Sequence, residues 1–222
     1  MGINFSQKSN KIYVRLFDGR LGMESTQDDP SAERIEVKNP QSGQILTKYV
    51  RHIFSITGII TDVKVVTREF KDTKVKPFKE ILVSIKDGNE DIVLQVKFKT
   101  EQGISLVNRL TGLVRLNLGS FPVTIGSYKM QNMESKRFNQ GFYIHFGDNF
   151  KVDLAYKRES MPKDIQWKQV TRNGELEWDK TEYLRFFMGL LENEVIPYYE
   201  NLKKLNATIP QEDSFEDVED VF

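Results

Sequence analysis

The chain has 222 residues, 39% of them hydrophobic and 29% charged, a balance that supports a packed core and excludes wholesale disorder. Lys plus Arg and Asp plus Glu both number 32, but six of the acids sit between Gln211 and Phe222, so the rest of the chain carries 32 basic against 26 acidic residues. The absence of cysteine excludes disulfides, thiolate metal sites and cysteine nucleophiles, and no apolar run reaches membrane-spanning length.

In chain order, Lys11 to Phe17 alternates as a strand, and Asp18-Gly19 signals a hairpin into Leu21 to Glu24. Ser25 to Ala32 is a polar loop, and short strands are expected at Arg34 to Val37 and Ile45 to Tyr49. Ile53 to Arg68 is a long run rich in β-branched residues, interrupted by Gly58. Its apolar parity changes from Phe54, Ile56 and Ile60 to Val63 and Val65, which predicts a bulged, bent strand. Glu80 to Lys86 and Asp91 to Lys99 alternate on either side of Asp87-Gly88-Asn89, a second hairpin. Ile104, Val107 and Leu110 mark a short helix over Gln102 to Leu110. Strands are expected again at Leu113 to Leu118 and through Phe121 to Tyr156. After a loop and the Asn173-Gly174 turn, Asp179 and Glu182 form a capping signal for a helix. Its stripe runs from Leu184 to Leu205, packing on the barrel or on another subunit, with a bend or break near Val195 before Pro197.

A bent strand, a hairpin, a short helix and two further strands follow the element order of an OB-fold. The class expected is mainly β: an OB-fold-like five-stranded barrel with extra N-terminal strands and a C-terminal α-helix. Another small barrel or a sandwich fits the same order. The division expected is one domain over residues 1–206, with an N-terminal β extension to 50, a barrel core over 51–158 and a helical segment over 159–206. A disordered acidic tail would follow over 207–222.

In such a fold the ligand lies across the middle strands between two loops, and in both loops cations and rings interleave. The first holds Phe70, Lys71, Lys74, Lys76, Phe78 and Lys79, and the second Tyr128, Lys129, Lys136, Arg137 and Phe138. Cations follow a phosphate backbone, and rings stack on bases for about 1–3 kcal/mol each. Lys64, Arg68, Lys97, Lys99, Arg115 and Lys151 take the non-core parity of their predicted strands, as does Tyr143, a candidate stacking residue. From Lys48 to Arg158 there are 19 basic against 11 acidic residues, which points to a polyanionic partner. Each of these residues alone reads better as a solvated loop, an outer-face cation or a barrel cap; the two-loop pattern taken together carries the binding expectation.

The catalytic inventory is thin. His52 and His145 are far apart, and the phosphate-loop, zinc-protease, EF-hand, dinucleotide and nucleophile-elbow motifs do not occur. No enzyme activity, cofactor or metal is expected.

The last twelve residues, QEDSFEDVEDVF, are acidic and end on phenylalanine. Such an ending beside a basic β-rich body resembles the single-stranded DNA-binding proteins of tailed bacteriophages, in which an OB-fold is joined to an acidic tail ending in Phe. The matching residues are Glu216, Asp217, Glu219, Asp220 and Phe222, with Phe215 as a further apolar contact. The resemblance implies sequence-independent coating of single-stranded DNA in replication, recombination or repair. It also implies capture of replication or recombination proteins by the tail, in the cytoplasm (the host's, if phage-encoded) and away from membranes, with a homo-oligomer as one compatible state. A β-rich phage structural or assembly protein is the alternative, and a nucleic-acid enzyme a more distant one.

Overall fold

The computed structural model describes residues 11–38, 43–69, 76–131, 133, 136, 138–147, 150–165, 168–172 and 175–208. Among these, β1 (Lys11–Phe17) and β2 (Arg20–Ser25) form the first hairpin, turning at Asp18 and Gly19 with φ of 49° and 81°. β3 (Glu33–Lys38) and β4 (Ile45–His52) follow, then β5 (Ser55–Arg68), β6 (Phe78–Asp87) and β7 (Glu90–Lys97). Helix α1 (Glu101–Arg115) leads into β8 (Pro122–Gln131), β9 (Phe138–Phe146) and the two-residue β10 (Phe150–Lys151). A separate hairpin of β11 (Lys168–Arg172) and β12 (Glu175–Asp179) precedes α2 (Thr181–Leu190) and α3 (Ile196–Thr208).

The long central strand bends as its sequence implies. The β5–β6 register shifts between Ile60 and Asp62, leaving Thr61 as the extra residue, so the buried positions change from Ile56 and Ile60 to Val63. Gly58 has φ of +153°, and a Cβ there would lie 2.5 Å from the Lys86 carbonyl oxygen, so only glycine fits between the crossing strands. Before the bulge β5 pairs with β8, and over its whole later length with β6.

The ten strands run β10-β9-β8-β5-β6-β7-β1-β2-β4-β3. The molecule is therefore mainly β with a C-terminal helix, as expected, but the sheet is open. Closing the five central strands would require β7 to pair with β9. Instead β7 takes β1 as a parallel neighbour, from Lys11 opposite Asp91 to Arg15 opposite Gln95. The sheet still curls. Ser127 Oγ accepts from Leu21 N at 3.1 Å and Lys129 Nζ meets Asp18 at 2.5 Å, so side chains join β8 to the first hairpin where no ladder does.

The expected strand over Leu113 to Leu118 is helix up to Arg115, because Leu106, Leu110 and Leu113 extend the helical spacing into the core. Thr100 caps α1, its Oγ1 accepting from Gly103 N at 3.0 Å, with Glu101 in the first turn and Arg115 in the last, both favourable to the helix dipole. Asn108 donates to the Tyr156 carbonyl at 2.8 Å and accepts from the Tyr156 amide at 2.9 Å, tying α1 to the segment after β10.

The C-terminal helix runs on past Pro197 and is not broken there. A five-residue π-helical turn, Leu191–Val195, joins α2 to α3 just before Pro197, whose ring and missing N–H disrupt regular α-helical bonding. Phe187, Leu190, Leu191, Val195 and Tyr199 are buried in the same core as the sheet. Each contributes about 1.5–3 kcal/mol of apolar transfer, so this helix is part of the fold and not an appendage.

Candidate nucleic-acid interface

Past its bulge, β5 turns Lys64, Val66 and Arg68 to the face opposite the core. The ladders then place Arg68 opposite Phe78, Lys64 opposite Leu82, Glu80 opposite Lys97, and Gln95 opposite Arg15. Arg68 Nε meets Glu80 Oε2 at 2.7 Å, and the Lys97 ammonium stands 4.8 Å over the Phe78 ring. Lys64 pairs with Asp62 at 2.6 Å, while Arg15 Nε donates to Gln95 Oε1 at 2.5 Å. Four strands thus contribute alternating cations and polar groups to one surface.

The curl of the sheet brings the β8–β9 hairpin round to the same place. Lys129, held by Asp18, lies 4.6 Å over the half-exposed Phe138 ring. Gln140 Oε1 accepts from Gln102 Nε2 at 2.6 Å, and a Cβ on Gly19 would touch both Lys129 and Gln140. Between these groups lies an open cleft of about 280 Å³ lined by Arg15, Glu80, Gln95, Lys97, Thr100 and Gln102 among others. Glu80 is its one carboxylate among those lining groups, and Arg68 neutralises it. Gln95 and Gln102 are themselves buried and paired with Arg15 and Gln140, so the cations Arg15 and Lys97 are the exposed charges of the lining.

Of the expected residues Lys97 lines the cleft itself; Arg68 and Phe78 adjoin it through Glu80 and Lys97, Lys129 and Phe138 through Gly19, and Lys64 lies on the adjoining row of the same face. Lys76, Lys99 and Lys136 are exposed close to its rim in sequence. Lys79 faces the other way and meets Glu192 of the π-turn at 3.4 Å. Tyr128, at the margin of exposure, takes its ring towards Gly141. Tyr143 shares the outer face but lies flat over Gly126, where a Cβ would come within 2.1 Å of its ring, and its other neighbour is His145 at 5.1 Å. Lys151 is exposed on β10, at the far edge of the sheet.

The expected strand position of Arg115 is corrected. It lies in the last turn of α1, where Glu194 takes two hydrogen bonds from it at 2.9 Å each and Tyr156 stacks on it at 4.8 Å. These partners raise its already high pKa and make it a structural tie between α1 and the C-terminal helix. Phe70, Lys71, Lys74 and Arg137, like the tail residues Phe215, Glu216, Asp217, Glu219, Asp220 and Phe222, lie outside the described residues.

Arg15, Gln95 and Gln102 were not among the expected site residues. The signal for Arg15 was present: in KIYVRLF the positions opposite Ile12, Val14 and Leu16 read Lys11, Tyr13, Arg15 and Phe17, cation and ring in turn. No sequence pattern announced that β1 would join β7, 80 residues away. Among the described residues no cluster of three or more His, Cys, Asp or Glu is placed to hold a metal ion, and no helix is long and apolar enough to cross a membrane. No family model, curated protein or solved structure matches this chain.

Proposed function

We propose that the chain binds single-stranded DNA, largely without regard to sequence, in the cleft between β6–β7 and the β8–β9 hairpin. The observation that carries this reading is a polar cleft lined by Lys97, which stands over Phe78, with a second cation–ring pair, Lys129 with Phe138, beside its Gly19 margin. A nucleic-acid strand needs that combination, charge for its phosphates and ring faces for its bases, and sequence tolerance follows because every base has a π-face. The strand order β9-β8-β5-β6-β7, with α1 between β7 and β8, supports an OB-type unit whose outer face is the binding surface and whose open side is covered by β1.

In this reading the protein is a binding module and not an enzyme, working in replication, recombination or repair. Its acidic tail competes weakly for the cleft and, once displaced, presents Phe215 and Phe222 to replication or recombination proteins.

The test is a titration of labelled oligo-dT at low salt, with unlabelled oligo-dC, oligo-dA and a duplex as competitors. Competition by all single strands and poor competition by the duplex is the expected pattern. No binding to any single strand, with or without Gln211 to Phe222, would overturn the proposal.

A further inference from the structure

The first hairpin is forked. β1 pairs with β2 only from Arg15 to Phe17, and with β7 from Lys11 to Arg15, whereas β2 from Gly22 onward pairs with β4. The two strands therefore diverge between Lys11–Val14 and Met23–Ser25. The gap is an open cleft of about 470 Å³ lined by Lys11, Tyr13, Arg15, Phe17, Glu24 and Arg51 among others. It is larger than the cleft at β7, and Arg15 lines both.

We propose that this fork is a second segment of the nucleic-acid site, taking the continuation of a single strand already seated at β7. The inference rests on the function proposed above and extends it to a part of the chain outside the five central strands. Charge is its first support. Glu24 is the one acid among the named lining groups, and Arg15 at 3.2 Å and Lys48 at 2.6 Å both engage it. Lys11 and Arg51 are exposed and make no ion pair among the described residues, although Asp29 lies within the field of Arg51. The fork thus keeps a positive balance after its internal pairs are made.

Its second support is the ring. Tyr13 is 50% exposed, between Lys11 and Arg15 on the same face of one strand. A tyrosine at that exposure, flanked by cations about two strand steps apart, offers a stacking platform beside phosphate contacts. Continuity is the third. From Arg15 to Lys11 the strand advances four residues, about 13 Å, so the fork lengthens the groove and does not form a detached patch. A peptide strand entering the fork is the competing occupant, and it too would have to be acidic.

The experiment compares the full chain with two variants, Tyr13→Ala and the double variant Lys11→Gln, Arg51→Gln, using oligo-dT of about 6 and about 20 nucleotides, lengths that bracket the usual reach of one such fold. Thermal melts establish that the variants fold. The expected result is near wild-type binding of the short strand by both variants. With the long strand, the double variant should lose about 1.4 from the slope of log K against log salt. Tyr13→Ala should bind the long strand about fivefold or more weakly, and Tyr13→Phe should restore it. Unchanged slope and affinity for the long strand would overturn the fork while leaving the β7 cleft standing. If those variants instead lost binding of a synthetic Gln211–Phe222 peptide, the fork would belong to a peptide. A wild-type chain that binds neither oligonucleotide overturns the function itself.

Discussion

Single side chains show where local rules bend to the fold. Gly58 interrupts a strand at a cost in backbone entropy, and its +153° φ with the Lys86 carbonyl 2.5 Å from a would-be Cβ explains why. Gly58→Ala is expected to cost about 2 kcal/mol or more in urea unfolding, through strain and clash together. A change below about 0.5 kcal/mol would mean that the crossing is looser than described. Tyr199 makes the opposite case. Burial raises its phenol pKa, and its hydroxyl has no hydrogen-bond partner among the described residues. Tyr199→Phe should therefore leave stability within about 0.5 kcal/mol or raise it, since an unsatisfied hydroxyl is removed with little loss of packing. A marked loss would point to a bound water. Asp29 is held to a pKa of about 2, below its usual 3.8, by hydrogen bonds from the Ser25 hydroxyl first and then Ser31. A depressed carboxylate stabilises the turn above its unfolded value, and that help fades as pH falls from about 4 through about 2. An NMR titration midpoint near 4 would show the turn to be loose.

At the scale of elements, the bulge in β5 was legible because glycine and a parity change occur together in one strand, and the observed register shift sits within two residues of them. The hairpin turns at Asp18-Gly19 and Gly88-Asn89 were legible from equally local signals. Helix α1 was underread, since Leu113, Val114, Leu116 and Leu118 suit a strand as well as a helix end until the core that receives Leu113 is known. That misreading placed Arg115 on a strand face. The parallel β1–β7 pair was not legible at all, because neither strand's alternation specifies its neighbour. The C-terminal helix offers the element-scale test. Ending the chain after Thr208 should leave the melting transition unchanged, whereas ending it after Lys180 exposes the buried partners of Phe187, Leu191, Val195 and Tyr199 and should abolish cooperative unfolding. A folded chain without α2 and α3 would separate the helix from the domain.

For the molecule as a whole, formal neutrality conceals a basic body joined to an acidic terminus. Removing Gln211 to Phe222 is expected to tighten oligo-dT binding at low salt, with the gain shrinking as salt screens the competition. Equal affinity at every salt concentration would count against tail competition. What the sequence offered of the candidate site was its composition, cations and rings interleaved in two segments. What it could not expose was the curl of the sheet, by which Lys129 reaches Asp18, 111 residues away. On the proposed function, Lys97 in the cleft lining and Lys129 beside its Gly19 margin serve one strand of nucleic acid. The direct measurement is the slope of log K against log salt for oligo-dT, in the wild type, Lys97→Gln, Lys129→Gln and the double variant. Each single change should lower the slope by about 0.7 and the double by about 1.4. A double variant with the wild-type slope would show that the cleft does not carry the strand.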